Sequence, residues 1–359
     1  MNRRRSLLLF VIAILHLAVA RFPANQLGAT APALPDRLSD REFWNLVTEM
    51  SEPNGQFRSD NLLSNEIFFQ YVLTDLAQPP RMNRVYLGVG PEQNFTYIAA
   101  VKPKMAFIVD VRRGNLHLHL MYKALFEMSS DRADFVFRLF SRKRPAGLAA
   151  TASANDIFDA LYKEAQSEIL FKENLKRVLD HLTKKRNLGL TPEDLVGIEY
   201  VYGNFSWHGP GLSYWSTGGV GGGRNAPTYW DLMVADDGKG QMRSFLANDD
   251  NFKVMKDLHE KNLLVPVVGN FAGPKALRAV GRYLRERDAT VAAFYLSNVE
   301  QYLSRDGSWH SFCSNAATLP LDAHSRFIRS VRNGTYGPGV GLDSELGEIA
   351  EEVKACAGK

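Results

Sequence analysis

Residues 82–113, MNRVYLGVGPEQNFTYIAAVKPKMAFIVDVRR, decide how this chain is read. Val85, Tyr86 and Leu87 form a short β-prone run, and Gly88 and Gly90 let the backbone turn tightly. The pattern over 95–101 suits a crossover helix, and 106–109 returns as a buried strand ending at Asp110. In a strand–turn–helix–strand unit of this kind, backbone N–H groups and a helix N-terminus face the ligand. An acid about 20 residues further on accepts hydrogen bonds from ribose hydroxyls. The spacing from Gly90 to Asp110 fits. The expected fold is α/β, with a Rossmann-like, mostly parallel sheet interrupted by helical and glycine-rich insertions.

The glycines narrow the choice of cofactor. A dinucleotide fingerprint places a third glycine where this chain has Gln93. Class I S-adenosylmethionine methyltransferases use a looser turn, roughly acid-x-G-x-G-x-G. Here Tyr86 stands for the leading acid and Glu92 for the last glycine. The turn is closer to the methyltransferase pattern; the alternative is an ordinary glycine turn between a strand and a helix.

The chain opens MNRRRSLLLFVIAILHLAVARF: three arginines, an uncharged apolar run from Leu7, then Ala18-Val19-Ala20. A basic stretch, an apolar stretch and an A-x-A site make residues 1–20 a secretory signal peptide, cleaved after Ala20. The expectation is a periplasmic or secreted protein, or one anchored in the membrane by residues 7–20 if cleavage fails. Without Arg3, Arg4 and Arg5 the formal charge drops from +4 to +1. So small a charge argues against nucleic acid as a partner, which needs a sustained basic face. A small-molecule ligand or substrate is the expected partner.

Cys313 and Cys356 are the two cysteines. In an exported chain they either pair or remain free thiols, and sequence alone carries no Cα separation with which to decide. The histidines show no H-E-x-x-H or comparable spacing, so no metal site is expected. His117 and His119, two apart, point to different faces of a helix.

Residues 21–38 read as a linker, and Ser39 with Asp40 can cap a helix over 41–50. A second helix is expected over 66–76 and a third over 116–128, with an insertion over about 131–250 that contains two amphipathic helices. Within it, GNFSWHGPGLSYWSTGGVGGGRNAPTYWDLM (203–233) holds too many glycines for a regular element. Its Trp207, His208, Tyr214, Trp215, Tyr229 and Trp230 either wall a substrate pocket or tuck into the core. The α/β pattern resumes with a strand over 263–269, a helix over 274–287 and a strand over 290–296. The α/β domain is thus placed at 39–340, and 341–359 is left as a C-terminal helix or tail. Ligands of open α/β sheets bind beyond the carboxyl ends of the strands, where Glu92, Asp110, Asn270 and Asn298 fall.

Three blocks carry a family resemblance: FRSDNLLSNE (57–66), VYLGVGPEQNFTYIAAVKPKMAFIVDVRR (85–113) and FYLSNVEQYL (294–303). The chain resembles a bacterial family of uncharacterised proteins with a class I methyltransferase-like fold. The resemblance implies S-adenosylmethionine as cofactor, with its methionine part against Gly88, Gly90 and Glu92 and its ribose on Asp110. It places Asn270 beside the adenine, where many methyltransferases have an acid, and Ser297 and Asn298 beside the methyl acceptor. Glu66 and Glu300 are the candidate bases, each also explicable as a surface or capping carboxylate. Because these cofactors are made in the cytoplasm, the export signal leaves a second hypothesis, an exported binding or scaffold protein with a degenerate cleft.

Overall fold

The structure is a computed structural model that describes residues 33–77, 83–218, 226–331 and 342–357. The signal peptide and most of the linker expected over 1–38 lie outside them.

The decisive stretch folds as β1 (Arg84–Gly88), a glycine turn, a helix over Gln93–Val101 and β2 (Met105–Asp110). Every residue of both strands is buried, which explains why they read as unbroken apolar runs instead of alternating ones. Lys102, in the left-handed conformation and followed by Pro103, ends the helix and turns the chain back into β2. Strands β3 (Leu264–Val268), β4 (Thr290–Ser297), β5 (Arg326–Val331) and β6 (Asp343–Glu348) complete a six-stranded sheet. Its order is β3-β2-β1-β4-β5-β6, with β1 to β5 parallel and β6 antiparallel to β5. That order is compatible with a Rossmann-like sheet, and the direction of winding reverses between β1 and β4. Pro266 sits in β3, an edge strand, where a missing N–H is tolerated.

In chain order the helices are α1 (Asp40–Met50), α2 (Leu73–Leu76), α3 (Gln93–Val101), α4 (Arg113–Met128), α5 (Arg132–Leu139), α6 (Ala154–Tyr162) and α7 (Glu168–Asp180). They continue with α8 (Pro192–His208), α9 (Tyr229–Val234), α10 (Asp249–Glu260), α11 (Ala276–Arg285), α12 (Val299–Arg305), α13 (Trp309–Ala316) and α14 (Ile349–Ala357). Two groups pack on the sheet: α3, α4 and α10 together, and α1, α11 and α13 together. Local signals set several starts, since Ser39 with Glu42 and Thr191 with Asp194 form capping boxes and Pro192 opens α8. Helix α4 is buried on nearly all sides, so its sequence shows little amphipathic stripe.

Some expectations give way. The helix expected over 66–76 shrinks to a 3-10 turn at Phe69–Val72 followed by α2, and residues 57, 58, 61 and 63–66 line the cavity described below. The glycine-rich stretch is less irregular than expected: α8 runs on to His208 and α9 begins at Tyr229, while residues 219–225 lie outside the described ones. Trp207 is exposed on α8, Tyr229 is core and Trp230 stacks on Phe158, so of these aromatics Tyr214 is the one that reaches the cavity described below. The stretch 341–359, expected as a helix or tail, supplies β6 before α14. The Cys313–Cys356 disulfide, Cα atoms 5.9 Å apart, joins α14 to α13. The end of the expected linker is part of the fold: Leu34 and Leu38 are buried, and the Leu38 N–H donates to Lys261 O at 3.0 Å.

Candidate functional site

A cavity of about 390 Å3 opens beyond the carboxyl ends of β1 to β4, on the reversal between β1 and β4. Its size falls in the range of small-molecule sites. Of the residues singled out in sequence, Glu66, Gly90, Asp110, Asn270, Ser297 and Asn298 line it. Gly88, Glu92 and Glu300 do not.

The glycine turn explains part of that division. A Cβ on Gly88 would lie 1.9 Å from Asn94 Oδ1, so Gly88 serves packing within the turn. Asn94 staples that turn: its Oδ1 accepts from the Tyr86 hydroxyl at 2.8 Å, and its Nδ2 donates to Val89 O at 2.9 Å and Pro91 O at 2.7 Å. Tyr86, at the position of the leading acid, is therefore spent in the core. Gly90 has φ +77°, with open space where a Cβ would be, so backbone is presented to the cavity. Its carbonyl accepts from His119 Nε2 at 2.9 Å. Burial pulls the His119 pKa down to about 4, which keeps the ring neutral.

Glu92 turns away from the cavity into the core. It is fully buried, neither carboxylate oxygen makes a hydrogen bond, and burial pushes its pKa up to about 8. The N–H groups of Glu92 and Ser64 lie near enough to oppose that rise without bonding in proper geometry. At neutral pH Glu92 is a protonated acid beneath the turn.

On the β2 side the acid is already held. Arg112 donates from Nε to Asp110 Oδ1 at 3.1 Å and from Nη2 to Oδ2 at 2.9 Å, and its backbone N–H reaches Oδ1 at 2.9 Å. Both partners are buried. Arg112 also donates to the carbonyls of Ser59 (3.3 Å) and Asp60. These residues belong to a strap over the cavity that is fastened elsewhere by Ser59 Oγ to the Tyr214 hydroxyl at 3.0 Å and by the Tyr200 hydroxyl to Asp60 Oδ2 at 2.5 Å. Arg58 Nη2 donates to the Tyr302 hydroxyl at 2.8 Å, and the Phe57 ring meets the Tyr302 ring edge-on at 5.2 Å. Asn270 is turned into its own loop, where Oδ1 accepts from Ala272 N at 2.9 Å.

The opposite wall is built from neutral donors around one carboxylate. Glu66 is buried; its Oε1 accepts from Ser297 Oγ at 2.6 Å and the Tyr295 hydroxyl at 2.9 Å, and its Oε2 accepts from Gln93 Nε2 at 2.6 Å. Gln93 Nε2 also donates to the Tyr97 hydroxyl at 3.0 Å, and Ser64 Oγ donates to Gln93 Oε1. Burial and then the charge of Glu66 raise the Tyr97 phenol, and the same order of causes raises Tyr295, so both remain donors. Among the described residues no basic side chain pairs with Glu66. Ser297 has φ +52° at the irregularity where β4 leaves its register with β5. Such a conformation is rare for a residue with a side chain and concentrates at functional sites.

Glu300, the other candidate base, does not join this wall. It is held by Arg329 of β5, whose Nη2 donates to Glu300 Oε1 at 3.1 Å and whose Nη1 donates to Glu352 Oε1 of α14 at 3.0 Å. Sequence reasoning passed over Gln93, Tyr295 and Arg112 as participants. Gln93 stands where a dinucleotide fingerprint has glycine, which hides its role, and Arg112 shows in the sequence only as a basic neighbour of Asp110. His117 and His119 do face apart, the first bonding Asp194 Oδ1 at 2.8 Å. Among the described residues no group of three or more His, Cys, Asp or Glu could hold a metal ion, and no helix is long and apolar enough to cross a membrane.

No curated protein matches the chain. A family model matches residues 60–344, which takes in β1 to β5 and all six of the expected residues that line the cavity. The chain therefore belongs to the family described as a domain of unknown function, DUF7790.

Proposed function

We propose that this is an exported, methyltransferase-like protein that binds S-adenosylmethionine in the cavity and passes its methyl group to a small acceptor. The observation that carries the reading is that Gly90, Asp110, Asn270, Ser297 and Asn298, chosen from the ends of four separate strands, line one cavity at the winding reversal. The open Gly90 backbone suits close approach of the methionine part, with the ribose toward Asp110. The cofactor would supply an activated methyl group, while the chain's part is to align acceptor and donor and to take a proton at Glu66 Oε1. Export rests on the basic and apolar residues 1–20.

One observation favours a second reading, a non-catalytic binding or scaffold protein. Both oxygens of Asp110 are already engaged by Arg112, so a ribose must share them or displace the fork. Calorimetric titration of the purified protein with S-adenosylmethionine, S-adenosylhomocysteine and NAD separates the two. The first reading expects saturable binding of the two adenosyl ligands at millimolar concentration or below. Absence of heat from all three removes it and leaves the second.

A further inference from the structure

We propose that Ser297 is a nucleophile and Glu66 its base, so that the cavity can hydrolyse a small carboxylic ester. This goes beyond methyl transfer and needs no cofactor. Three independent features meet here. Ser297 stands at φ +52° on the step from β4 into α12, partly buried and lining the cavity, where a substrate could reach its hydroxyl. Its Oγ lies 2.6 Å from Glu66 Oε1, within the reach required of a nucleophile and base. The base is oriented in turn: the Tyr295 hydroxyl holds Oε1 at 2.9 Å and Gln93 Nε2 holds Oε2 at 2.6 Å, and Gln93 is itself tied to Ser64 and Tyr97.

The chain neighbours of this pair supply the remaining part. Asn65 follows Ser64 and precedes Glu66, and Asn298 follows Ser297. Both line the cavity, and neither side-chain amide appears in any hydrogen bond among the described residues. Amide donors of this kind are what a developing oxyanion requires.

The step balances with water as the only co-reactant. Ser297 Oγ bonds to the ester carbonyl carbon while its proton passes to Glu66 Oε1. The carbon–oxygen bond to the alcohol breaks, and the leaving alkoxide takes that proton. Water then adds to the acyl-serine and gives a proton to Glu66, which returns it to Ser297 Oγ as the carboxylic acid departs.

The test uses the purified full chain, without cofactor, against p-nitrophenyl acetate and an alkyl fluorophosphonate. Ser297 should displace fluoride and gain one phosphonyl group, located by peptide mass mapping, and the ester should turn over. Ser297→Ala should abolish both while retaining the far-UV spectrum. Glu66→Gln should slow labelling about 10²–10⁴-fold, and Glu66→Asp is the fallback if that variant does not fold. Asn298→Ala should slow ester turnover about 10²–10³-fold with the fold intact. A wild type that is neither labelled nor active, labelling at another residue, or equal labelling of Ser297→Ala overturns the proposal. Because S-adenosylmethionine is absent throughout, these outcomes are independent of whether the protein binds it.

Discussion

The two walls of the cavity handle their charges in opposite ways. On the β1–β2 wall the acids are settled within the protein: Asp110 is gripped by Arg112, and Glu92 is buried as a neutral acid below the turn. On the β4 wall Glu66 keeps its carboxylate toward the cavity, held by hydroxyls and an amide and by no basic group among the described residues. Removing an acid from the first wall should therefore disturb stability, whereas removing one from the second should disturb chemistry. The wall that most resembles a cofactor motif is the more structural of the two.

The largest effect that would sharpen this contrast belongs to Glu92. Its folded-state pKa, about 8, lies above the unfolded value of 4.5, so the folded protein binds more protons than the unfolded chain between those pH values. Stability is therefore greatest below about pH 4.5 with respect to this group and declines as pH rises toward 8. A shift of that size corresponds to a loss on the order of 5 kcal/mol. Glu92→Gln should abolish the decline and be the more stable protein at pH 8 in denaturant titrations. Identical pH profiles for the two proteins would mean that Glu92 finds a partner in solution.

Next is the fork at Asp110. Asp110→Ala leaves the buried Arg112 guanidinium without its carboxylate and should cost about 3–5 kcal/mol of unfolding free energy. Asp110→Ala combined with Arg112→Met should recover much of that loss, since no charge is then stranded. Should Asp110→Ala leave stability unchanged while abolishing ligand binding, the fork contributes little to the fold and Asp110 serves the ribose alone.

Smallest is Gly90→Ala. Nothing within 4 Å meets the added methyl group, so the cost is that of holding alanine at φ +77°, about 1–2 kcal/mol. Any loss of ligand affinity beyond that amount, read by calorimetry, measures how closely a ligand approaches this backbone. Equal affinity in both proteins would place the ligand on the β4 wall alone.

Sequence reading served the two walls unequally for a physical reason. The β1-turn-α3-β2 unit is specified by neighbours in the chain: buried apolar runs, a turn that needs glycine, and a strand ending in an acid. Five of the six cavity residues stand at strand ends, which converge in any sheet of this winding, whereas Glu66 comes from the strap before β1. Glu300 was misplaced although it lies only three residues beyond Ser297, because α12 begins at Val299 and carries it round to Arg329 of β5. β6 escaped notice because an edge strand with only partial burial shows no sustained apolar run.

By itself the sequence determined an α/β chain, the strand–turn–helix–strand unit around Gly90 and the cap that starts α1, all of which rest on residues close together in the chain. Only the tertiary structure decided which acids are spent and which remain available. Glu66 and Ser297 are 231 residues apart and meet through the sheet, and Cys313 finds Cys356 once β6 has brought α14 back against α13. Burial and pairing set the charge state of a carboxylate, and both are properties of the packed interior that local sequence does not encode.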